Sequence, residues 1–358
     1  MEVNTMNKFT KVGLVAMLAA TTLAGCGSDG GSDSATCPIR VGFVTDVGGI
    51  DDHSFNEGTW NGIKEFAKEN GLDDSCIKYM QSKNDSDYEP NLSSFADEGY
   101  DLVVAAGFKF DKAIENVAPT YPDTHFLVID TVSKEANVQS ATFKAEQSSY
   151  LAGVAAAMQT KAQGGDTVGF IGGEEQDLII AFQAGFEQGV KSIDPNMKIY
   201  VDYAGGFDKT EMGSTLAEKQ YAAGAKVIYH AAGGTGNGVF AAAVARAEKG
   251  EEVWVIGVDS DQYDTGIYDK DNNKSVTLTS ALKRVDVAAK SAAKQVLDGE
   301  FKAEPIVYTI AEDGVGLPEE NPNISDEIQA KLDEVVQDMK DGKIEVTTER
   351  QIENGQVG

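Results

Sequence analysis

The stretch "VTDVGGIDDHSFNEGTW", from Val44 to Trp60, joins the end of a predicted strand to the start of a predicted helix. Before it stands "IRVGF", a short apolar run without strict alternation, which is typical of a strand buried on both faces of a parallel sheet. After it stands "NGIKEFAKENG", in which apolar residues recur at helical spacing before Gly71, a typical helix stop. A strand, a glycine-containing loop and a helix form the repeating unit of an α/β fold.

The same unit recurs along the chain. Short apolar runs predict eight strands: "IRVGFVT", "CIKYMQ", "DLVVAAG", "HFLVID", "DTVGFIG", "MKIYVDYAG", "AKVIYHA" and "VWVIGVD". Helical stretches such as "EQSSYLAGVAAAMQTK" and "VDVAAKSAAKQVLDG" lie between or after them. This alternation predicts a doubly wound α/β architecture, and the chain is too long for one ordinary core.

The strands fall into two sets of four, which predicts two Rossmann-like lobes joined by a hinge. We interpret "SVTLTSALKRVD", the following helix and "PIVYTI" as the chain crossing back to the first lobe and returning. The predicted first lobe is therefore 37–138 plus about 262–304, and the second is 139–261 plus about 305–345. Residues 346–358 read as a polar tail. Ligands of hinged two-lobed proteins bind between the lobes.

The N-terminus predicts a secreted, lipid-anchored protein. Lys8 and Lys11 precede a short apolar run, which is typical of a signal peptide over 1–25 and too short for a membrane span. "LAGC" resembles a bacterial lipobox, which implies cleavage before Cys26 and an acyl anchor on its sulfur. The Gly/Ser/Asp-rich residues 26–36 read as a flexible tether. The alternative is a plain secreted protein with an incidental cysteine.

The two remaining cysteines, Cys37 and Cys76, predict one disulfide outside the cytoplasm. Each opens a predicted strand, and two parallel neighbouring strands would place both at the same edge of the sheet. The alternative is a pair of free thiols. No zinc-binding spacing is present.

The chain is strongly acidic, with a formal net charge of −28 at pH 7. This charge argues against nucleic acid and against an anionic membrane surface as partners. It suits a soluble body that must not adhere to its surroundings.

The loop that opens this section carries the first candidate ligand contacts, because strand carboxyl ends face the ligand in open parallel sheets. Ser54 and Glu57 fit a capping box, which places Asn56 in the first helical turn near Asp46. A carboxylate and a carboxamide together can pair with the mixed donor and acceptor edge of a nucleobase. For the neighbouring Asp51-Asp52 pair we favour a simpler role in the turn and the helix start.

Aromatic residues follow two other predicted strands. Phe108 and Phe110 come directly after "DLVVAAG", with Asp111 as a predicted N-cap, and Phe207 follows two glycines in the second lobe. Such rings can stack on a planar ligand across the cleft. The alternatives are that Phe108 packs against a neighbouring helix and that Phe207 staples onto Met212.

Small residues and a carboxylate follow the last two strands. "HAAGGTGNGVF" contains a weak dinucleotide-like pattern, and we favour the simpler interpretation that residues such as Gly234 let backbone N–H groups approach a ligand closely. Asp259 can accept two hydroxyls of a sugar, and Lys283 can bind the same sugar or pair with Asp259. The alternative is an ordinary hinge salt bridge. Together the candidates describe a nucleoside without its phosphate, since a phosphate would need arginine or several lysines.

These motifs together resemble the basic membrane protein family of lipoprotein substrate-binding proteins. The resemblance rests on "VGFVTDVGGIDDHSFNEGTWNGIKEF", "AAGFKFDKAI", "YAGGFDKTEMG", "HAAGGTGNGVF", "GVDSDQ", "TSALKRVDVA" and "EDGVGL", in order over residues 38–345. It implies a type I periplasmic binding protein fold and delivery of nucleosides, purine nucleosides above all, to an ABC importer. The pocket residues that it implies are Asp46, Asn56, Phe207, Gly234, Asp259, Lys283 and Asp111. His53 departs from the family's usual polar residue, which puts base preference in doubt.

Two other functions are alternatives to this interpretation. "TDVGGIDD" is similar to the calcium-binding aspartate cluster of nucleoside hydrolases, but Val44 replaces its first aspartate and the spacing is one residue longer. A binder of another small molecule, such as a sugar, would usually show more arginine. We therefore expect a monomeric binding protein without a cofactor, metal or catalytic residue, anchored on the periplasmic or extracellular face of a bacterial membrane, with permease subunits as partners.

Overall fold

A computed structural model describes residues 37–358, which form one compact unit. The predicted signal peptide over 1–25, the lipidation site Cys26 and the tether over 26–36 lie outside the described residues. Within 37–358, no helix combines the length and the apolar character needed to cross a membrane.

The first lobe is built on a six-stranded parallel sheet with the strand order β13-β5-β4-β3-β1-β2. Its strands are β1 (Val41–Val44), β2 (Ile77–Met80), β3 (Leu102–Ala106), β4 (His125–Ile129), β5 (Val138–Phe143) and β13 (Pro305–Tyr308). Its helices are α1 (Phe55–Glu69), α2 (Tyr88–Asp97), α3 (Asp111–Val117) and α8 (Val285–Asp298). Helix α1 packs against α8, and α2 packs against α3. Strands β1 and β3 are completely buried, as their apolar sequences predict.

The second lobe is built on a six-stranded sheet with the order β14-β12-β9-β8-β6-β7, in which only β14 runs antiparallel. Its strands are β6 (Thr167–Gly172), β7 (Lys198–Tyr203), β8 (Val227–Ala231), β9 (Trp254–Asp259), β12 (Thr277–Lys283) and β14 (Val315–Gly316). The small pair β10 (Ile267–Asp269) and β11 (Lys274–Ser275) lies outside that sheet. The helices of the second lobe are α4 (Ala145–Ala162), α5 (Asp177–Ile193), α6 (Thr210–Ala222), α7 (Gly236–Ala247) and α9 (Asp326–Lys340).

This arrangement confirms the predicted α/β class, the two lobes and the eight strands. Three further strands lie in the opposite lobe from the one that the sequence predicted for their residues. Strand β5 joins the first sheet beside β4, β12 stays in the second sheet beside β9, and β13 joins the first sheet beside β5. The proposed boundaries at 138, 262 and 304 are therefore displaced, because an apolar run shows that a strand exists but not which sheet pairs with it.

The chain crosses between the lobes at three places, which follow the ends of β5, β12 and β13. Each crossing is short: β5 ends at Phe143 and α4 begins at Ala145, while β12 ends at Lys283 and α8 begins at Val285. Three adjacent short crossings form a hinge of the kind that the sequence predicted.

The C-terminal residues are not a free polar tail, contrary to the expectation for 346–358. Residues 347–358, here called the C-terminal strap, first bond side chains of α5, with Gln188 and Gln183 donating to the carbonyls of Thr347 and Ile352, and then run along the outer edge of β7. Gly355 donates its backbone N–H to the carbonyl of Val201 over 2.8 Å, and Ile199 donates to the carbonyl of Gly358 over 3.0 Å. Ile352 is only 5% exposed. Because the strap is mainly polar, its sequence did not indicate that Ile352 is buried or that backbone hydrogen bonds cover this edge of the sheet.

The predicted disulfide is present between Cys37 and Cys76, whose Cα atoms lie 5.4 Å apart. Strands β1 and β2 are parallel neighbours with Val41 opposite Ile77. The two cysteines therefore meet at the edge of the sheet opposite the cleft, as expected from their positions at the strand starts.

Candidate functional site

A cavity lies between the two lobes, where the carboxyl ends of both sheets meet. Both lobes contribute to its wall. It is lined by Asp46, Gly48, Asp52, Phe55, Asn56, Gly107, Phe108, Asp130, Leu178, Ile179, Phe182, Phe207, Ala231, Ala232, Gly233, Val258, Asp259 and Lys283. The wall is thus mainly apolar, with a few carboxylates, one carboxamide and one ammonium group placed in it.

Asp46 and Asn56 form a hydrogen-bonded pair on the first-lobe wall. Asn56 donates from Nδ2 to Oδ1 of Asp46 over 2.7 Å, and accepts the backbone N–H of Asp46 at its Oδ1 over 3.1 Å. Gly48 donates its backbone N–H to the same Asp46 oxygen over 2.8 Å. These contacts fix the carboxylate and the carboxamide side by side, as the sequence predicted.

Asp52, and not Ser54, caps helix α1. Its carboxylate accepts the backbone N–H groups of Ser54, Asn56 and Glu57 over 2.8–3.0 Å. Ser54 makes no side-chain cap, so the predicted capping box is wrong. Glu57 instead pairs with His53, 2.8 Å away on the exposed side of the loop. The prediction that Asp52 favours the helix start holds in this geometry, but Asp52 also lines the cavity.

Lys283 pairs with Asp130 and not with Asp259. Its Nζ lies 2.5 Å from Oδ2 of Asp130, and both side chains are almost fully buried. The same ammonium group stands 4.6 Å from the ring centroid of Phe55. Asp130 ends the run "HFLVID" and is absent from the predicted site, although it directly follows β4 much as Asp259 ends β9.

Asp259 contacts the first lobe directly. Its Oδ2 accepts a hydrogen bond from the Ser54 hydroxyl over 2.8 Å, whereas its Oδ1 is buried and has no partner among residues 37–358. Both Asp259 and Asp130 adopt positive φ angles, 65° and 70°. That conformation is uncommon for residues other than glycine and is often found at binding sites.

Phe108 and Phe207 approach each other across the cavity from opposite lobes. Their ring centroids lie 6.3 Å apart with an interplanar angle of 70°. Met212, the alternative partner of Phe207, is 45% exposed and does not line the cavity. Phe110, in contrast, is buried in the core and stacks on Tyr88 with a centroid distance of 4.0 Å. Of the two phenylalanines that follow β3, only Phe108 therefore lines the cavity.

Two predicted contacts lie outside the cavity wall. Asp111 is exposed at the first position of α3 and accepts a hydrogen bond from the Thr131 hydroxyl over 3.2 Å. Gly234 is buried just behind the wall, and a Cβ there would lie 3.1 Å from the carbonyl oxygen of Phe207. Its neighbour Gly233 lines the cavity instead. The helix-facing Gly236 and Gly238 serve packing, since a Cβ would fall within 2.1 Å of His230 and 1.9 Å of Thr210.

Burial destabilises the charged form of three carboxyl groups in the site. Burial raises the pKa of Asp46, Asp52 and Asp259 from 3.8 to about 6 each. Hydrogen bonds from Asn56 and backbone N–H groups, and for Asp259 the charge of Lys283, partly oppose this rise. A ligand that donates hydrogen bonds would stabilise their charged forms, whereas an anion would be repelled.

Several lining residues gave little signal in the sequence. Phe55, Leu178, Ile179 and Phe182 stand on helices, where apolar side chains usually indicate core packing. Asp130, in contrast, directly follows β4 and could have been found by the rule that identified the other residues at strand ends.

The fold and the cavity define a two-lobed solute-binding protein of the type I periplasmic class. Residues 39–350 match the family described as "ABC transporter substrate-binding protein PnrA-like", and the chain belongs to this family. Membership confirms the predicted resemblance and the expectation of a binding protein and not an enzyme.

Relatives and solved structures agree with this assignment. The chain is 40% identical to the "CD4+ T-cell-stimulating antigen" of Listeria innocua, over 95% of this chain and 99% of the relative. It is 37% identical to the "ABC transporter nucleoside-binding protein BmpA" of Lactococcus lactis, over 94% and 97% of the two chains. A solute-binding protein of an ABC transporter system from Aeropyrum pernix superposes with a TM-score of 0.76 at 28% identity, over 88% and 94% of the chains.

Proposed function

We propose that this protein captures nucleosides, purine nucleosides above all, in the cavity between its lobes and delivers them to the permease of an ABC importer. The observation that carries the proposal is the composition of the cavity wall. Two phenylalanine rings from opposite lobes face a cavity that also holds the Asp46–Asn56 pair and the unpartnered oxygen of Asp259.

Each part of a nucleoside has a counterpart in this wall. Phe108 and Phe207 meet edge to face, so the face of one ring would stack on the flat base and the other ring would lie beside it, since base–aromatic stacking needs only a π-face. The Asp46–Asn56 pair would bind the polar edge of the base, and Asp259 with Lys283 would bind ribose hydroxyls. Asp130 would hold the Lys283 ammonium group in place.

The wall also favours an uncharged ligand. Among the described lining residues, four are aspartates, one is a lysine and none is an arginine. A phosphate group would bring further negative charge to a site that already desolvates carboxylates. The name of the Lactococcus lactis relative, a nucleoside-binding protein, agrees with this choice.

The anchor and the partners complete the proposal. Acylation at Cys26 would hold the protein on the outer face of a bacterial membrane, where a monomer with closed lobes would dock on the permease subunits. Neither nucleic acid nor a cofactor enters this function.

Isothermal titration tests the proposal. Adenosine, guanosine and inosine are each titrated into the protein, beside their free bases, ribose, glucose and adenosine monophosphate. We expect nucleosides to bind with Kd values in the micromolar to nanomolar range, or about −8 to −12 kcal/mol. Bases and ribose should bind more weakly, and the monophosphate weakest of all.

Two results would contradict the proposal. Binding of glucose or ribose alone, without binding of any nucleoside, would make this a sugar-binding protein. Release of hypoxanthine from inosine in the presence of calcium, followed by chromatography, would point to hydrolysis instead of transport.

A further inference from the structure

The start of helix α1 docks on the second lobe beside the cavity. The Ser54 hydroxyl lies 2.8 Å from Oδ2 of Asp259 and 3.0 Å from the carbonyl oxygen of Val258. Ser260 donates from its hydroxyl to the carbonyl of Ser54 over 3.0 Å, and Gln262 donates from Nε2 to the carbonyl of His53 over 3.0 Å. These hydrogen bonds form a seam between the lobes, and they exist only where the lobes are in contact.

Within this seam, the Ser54–Asp259 contact is the one that touches a cavity carboxylate. Ser54 is completely buried and Asp259 is 8% exposed. The bond occupies Oδ2 and leaves Oδ1 of Asp259 buried and unpartnered among the described residues. A buried carboxylate oxygen without a partner is costly, and a hydroxyl of a bound ligand would relieve that cost.

Ser54 is also fixed to the turn that carries the candidate base contacts. Asp52 accepts the backbone N–H groups of both Ser54 and Asn56, and Asn56 bonds Asp46. The start of α1 thus bears Asn56, which bonds Asp46 on the cavity side, and the Ser54 hydroxyl on the seam side.

We propose that Ser54 is a positioning residue that couples recognition of the base in the first lobe to recognition of the ribose in the second lobe. When the lobes meet over a bound base, Ser54 reaches Asp259 and orients its carboxylate, so that Oδ1 receives a ribose hydroxyl. This inference rests on the proposed function. In this arrangement only Oδ1 of Asp259 binds the sugar, whereas the sequence suggested that both of its oxygens would do so.

The test compares a nucleoside with its own free base. Ser54→Ala should weaken binding of inosine about tenfold, because Asp259 loses the donor that orients it, and should change binding of hypoxanthine by less than twofold. The helix cap is unaffected, since Asp52 and not Ser54 provides it. Ser54→Cys, of similar size but a weaker donor, should give the same selective loss if Ser54→Ala folds poorly.

Ser260→Ala is the matched control in the same seam. Its hydroxyl bonds the Ser54 carbonyl and not the Asp259 carboxylate, so any loss should be equal for inosine and hypoxanthine. In an Asp259→Asn background, Ser54→Ala should change inosine binding by less than twofold.

Four outcomes separate this inference from the proposed function. If the unaltered protein binds inosine and Ser54→Ala weakens inosine and hypoxanthine equally, Ser54 serves closure alone and the inference is wrong. It is also wrong if inosine binding is unchanged in Ser54→Ala, or if the loss persists in full beside Asp259→Asn. If the unaltered protein binds no nucleoside at all, the proposed function itself fails, and the inference fails with it.

Discussion

At the scale of single residues, the carboxyl groups of the cavity make ligand binding depend on pH. Asp46, Asp52 and Asp259 have pKa values raised by burial to about 6, from 3.8. Hydrogen-bond donors on a nucleoside would favour the ionised forms and lower these pKa values in the complex. By linkage, affinity is then greatest above pH 6 and falls as the groups take up protons below it.

We therefore expect the Kd for inosine to rise about tenfold between pH 7.5 and pH 5, the change for a single essential carboxylate with a pKa of 6. Titration calorimetry across that range measures it. Asp46→Asn should bind more weakly at pH 7.5 but show a flatter pH profile. An affinity that stays constant down to pH 5 would show that the ligand makes no use of these carboxylates.

Phe207 tests the aromatic part of the wall. Phe207→Ala should weaken nucleoside binding about tenfold or more, since stacking on one ring contributes about 1–3 kcal/mol. Met212→Ala is the control, because this nearby side chain is 45% exposed and does not line the cavity. Equal Kd values for the two variants would place the base elsewhere.

The sequence identified most polar residues of the wall but not their partners. Asp46 and Asp259 were recognised because they lie at the carboxyl ends of strands, where parallel sheets present ligands, and Asn56 because the first helical turn brings it near Asp46. The pairing of Lys283 with Asp130 was missed, since the two residues are 153 positions apart and meet only at the hinge. Such a contact depends on which strands share a sheet, and the local pattern does not encode that.

At the scale of elements, the sequence predicted where strands occur but not which sheet each strand joins. The runs before Asp46 and Asp259 are apolar enough to identify buried strands without further information. Strands β12 and β13 are also clear as extended pieces, but they exchange lobes relative to the sequence reading. Their partners are fixed by backbone register and by the short hinge crossings, which contribute no side-chain pattern.

The C-terminal strap is the element whose role the sequence concealed, and Ile352 measures it. Ile352→Ala should lower the free energy of unfolding by about 2–5 kcal/mol, as for other truncations of buried aliphatic side chains. Val357→Ala, in the same strap but 48% exposed, should change it by less than about 0.5 kcal/mol. Urea denaturation followed by fluorescence compares them. Equal stabilities would mean that the strap is only a surface attachment.

At the scale of the whole molecule, the ion pair between Lys109 and Glu174 joins the two lobes outside the Ser54 seam, in addition to the Lys283–Asp130 pair. Lys109 stands in the first lobe between Phe108 and Phe110, and Glu174 follows β6 in the second lobe. Their Nζ and Oε1 atoms lie 2.6 Å apart, with side chains 23% and 29% exposed. Partial burial protects this pair from solvent screening, so it should contribute more than a fully exposed pair.

Because this pair must break when the lobes separate, it should slow ligand release. We expect Glu174→Gln to raise the dissociation rate of a bound nucleoside about three- to tenfold, with little change in the association rate, as measured by stopped-flow fluorescence. Glu175→Gln is the matched control, since Glu175 pairs with Arg350 inside the second lobe and does not cross the cleft. Added salt should accelerate release from the unaltered protein but not from Glu174→Gln. Identical dissociation rates for Glu174→Gln and Glu175→Gln would show that opening does not require this bond to break.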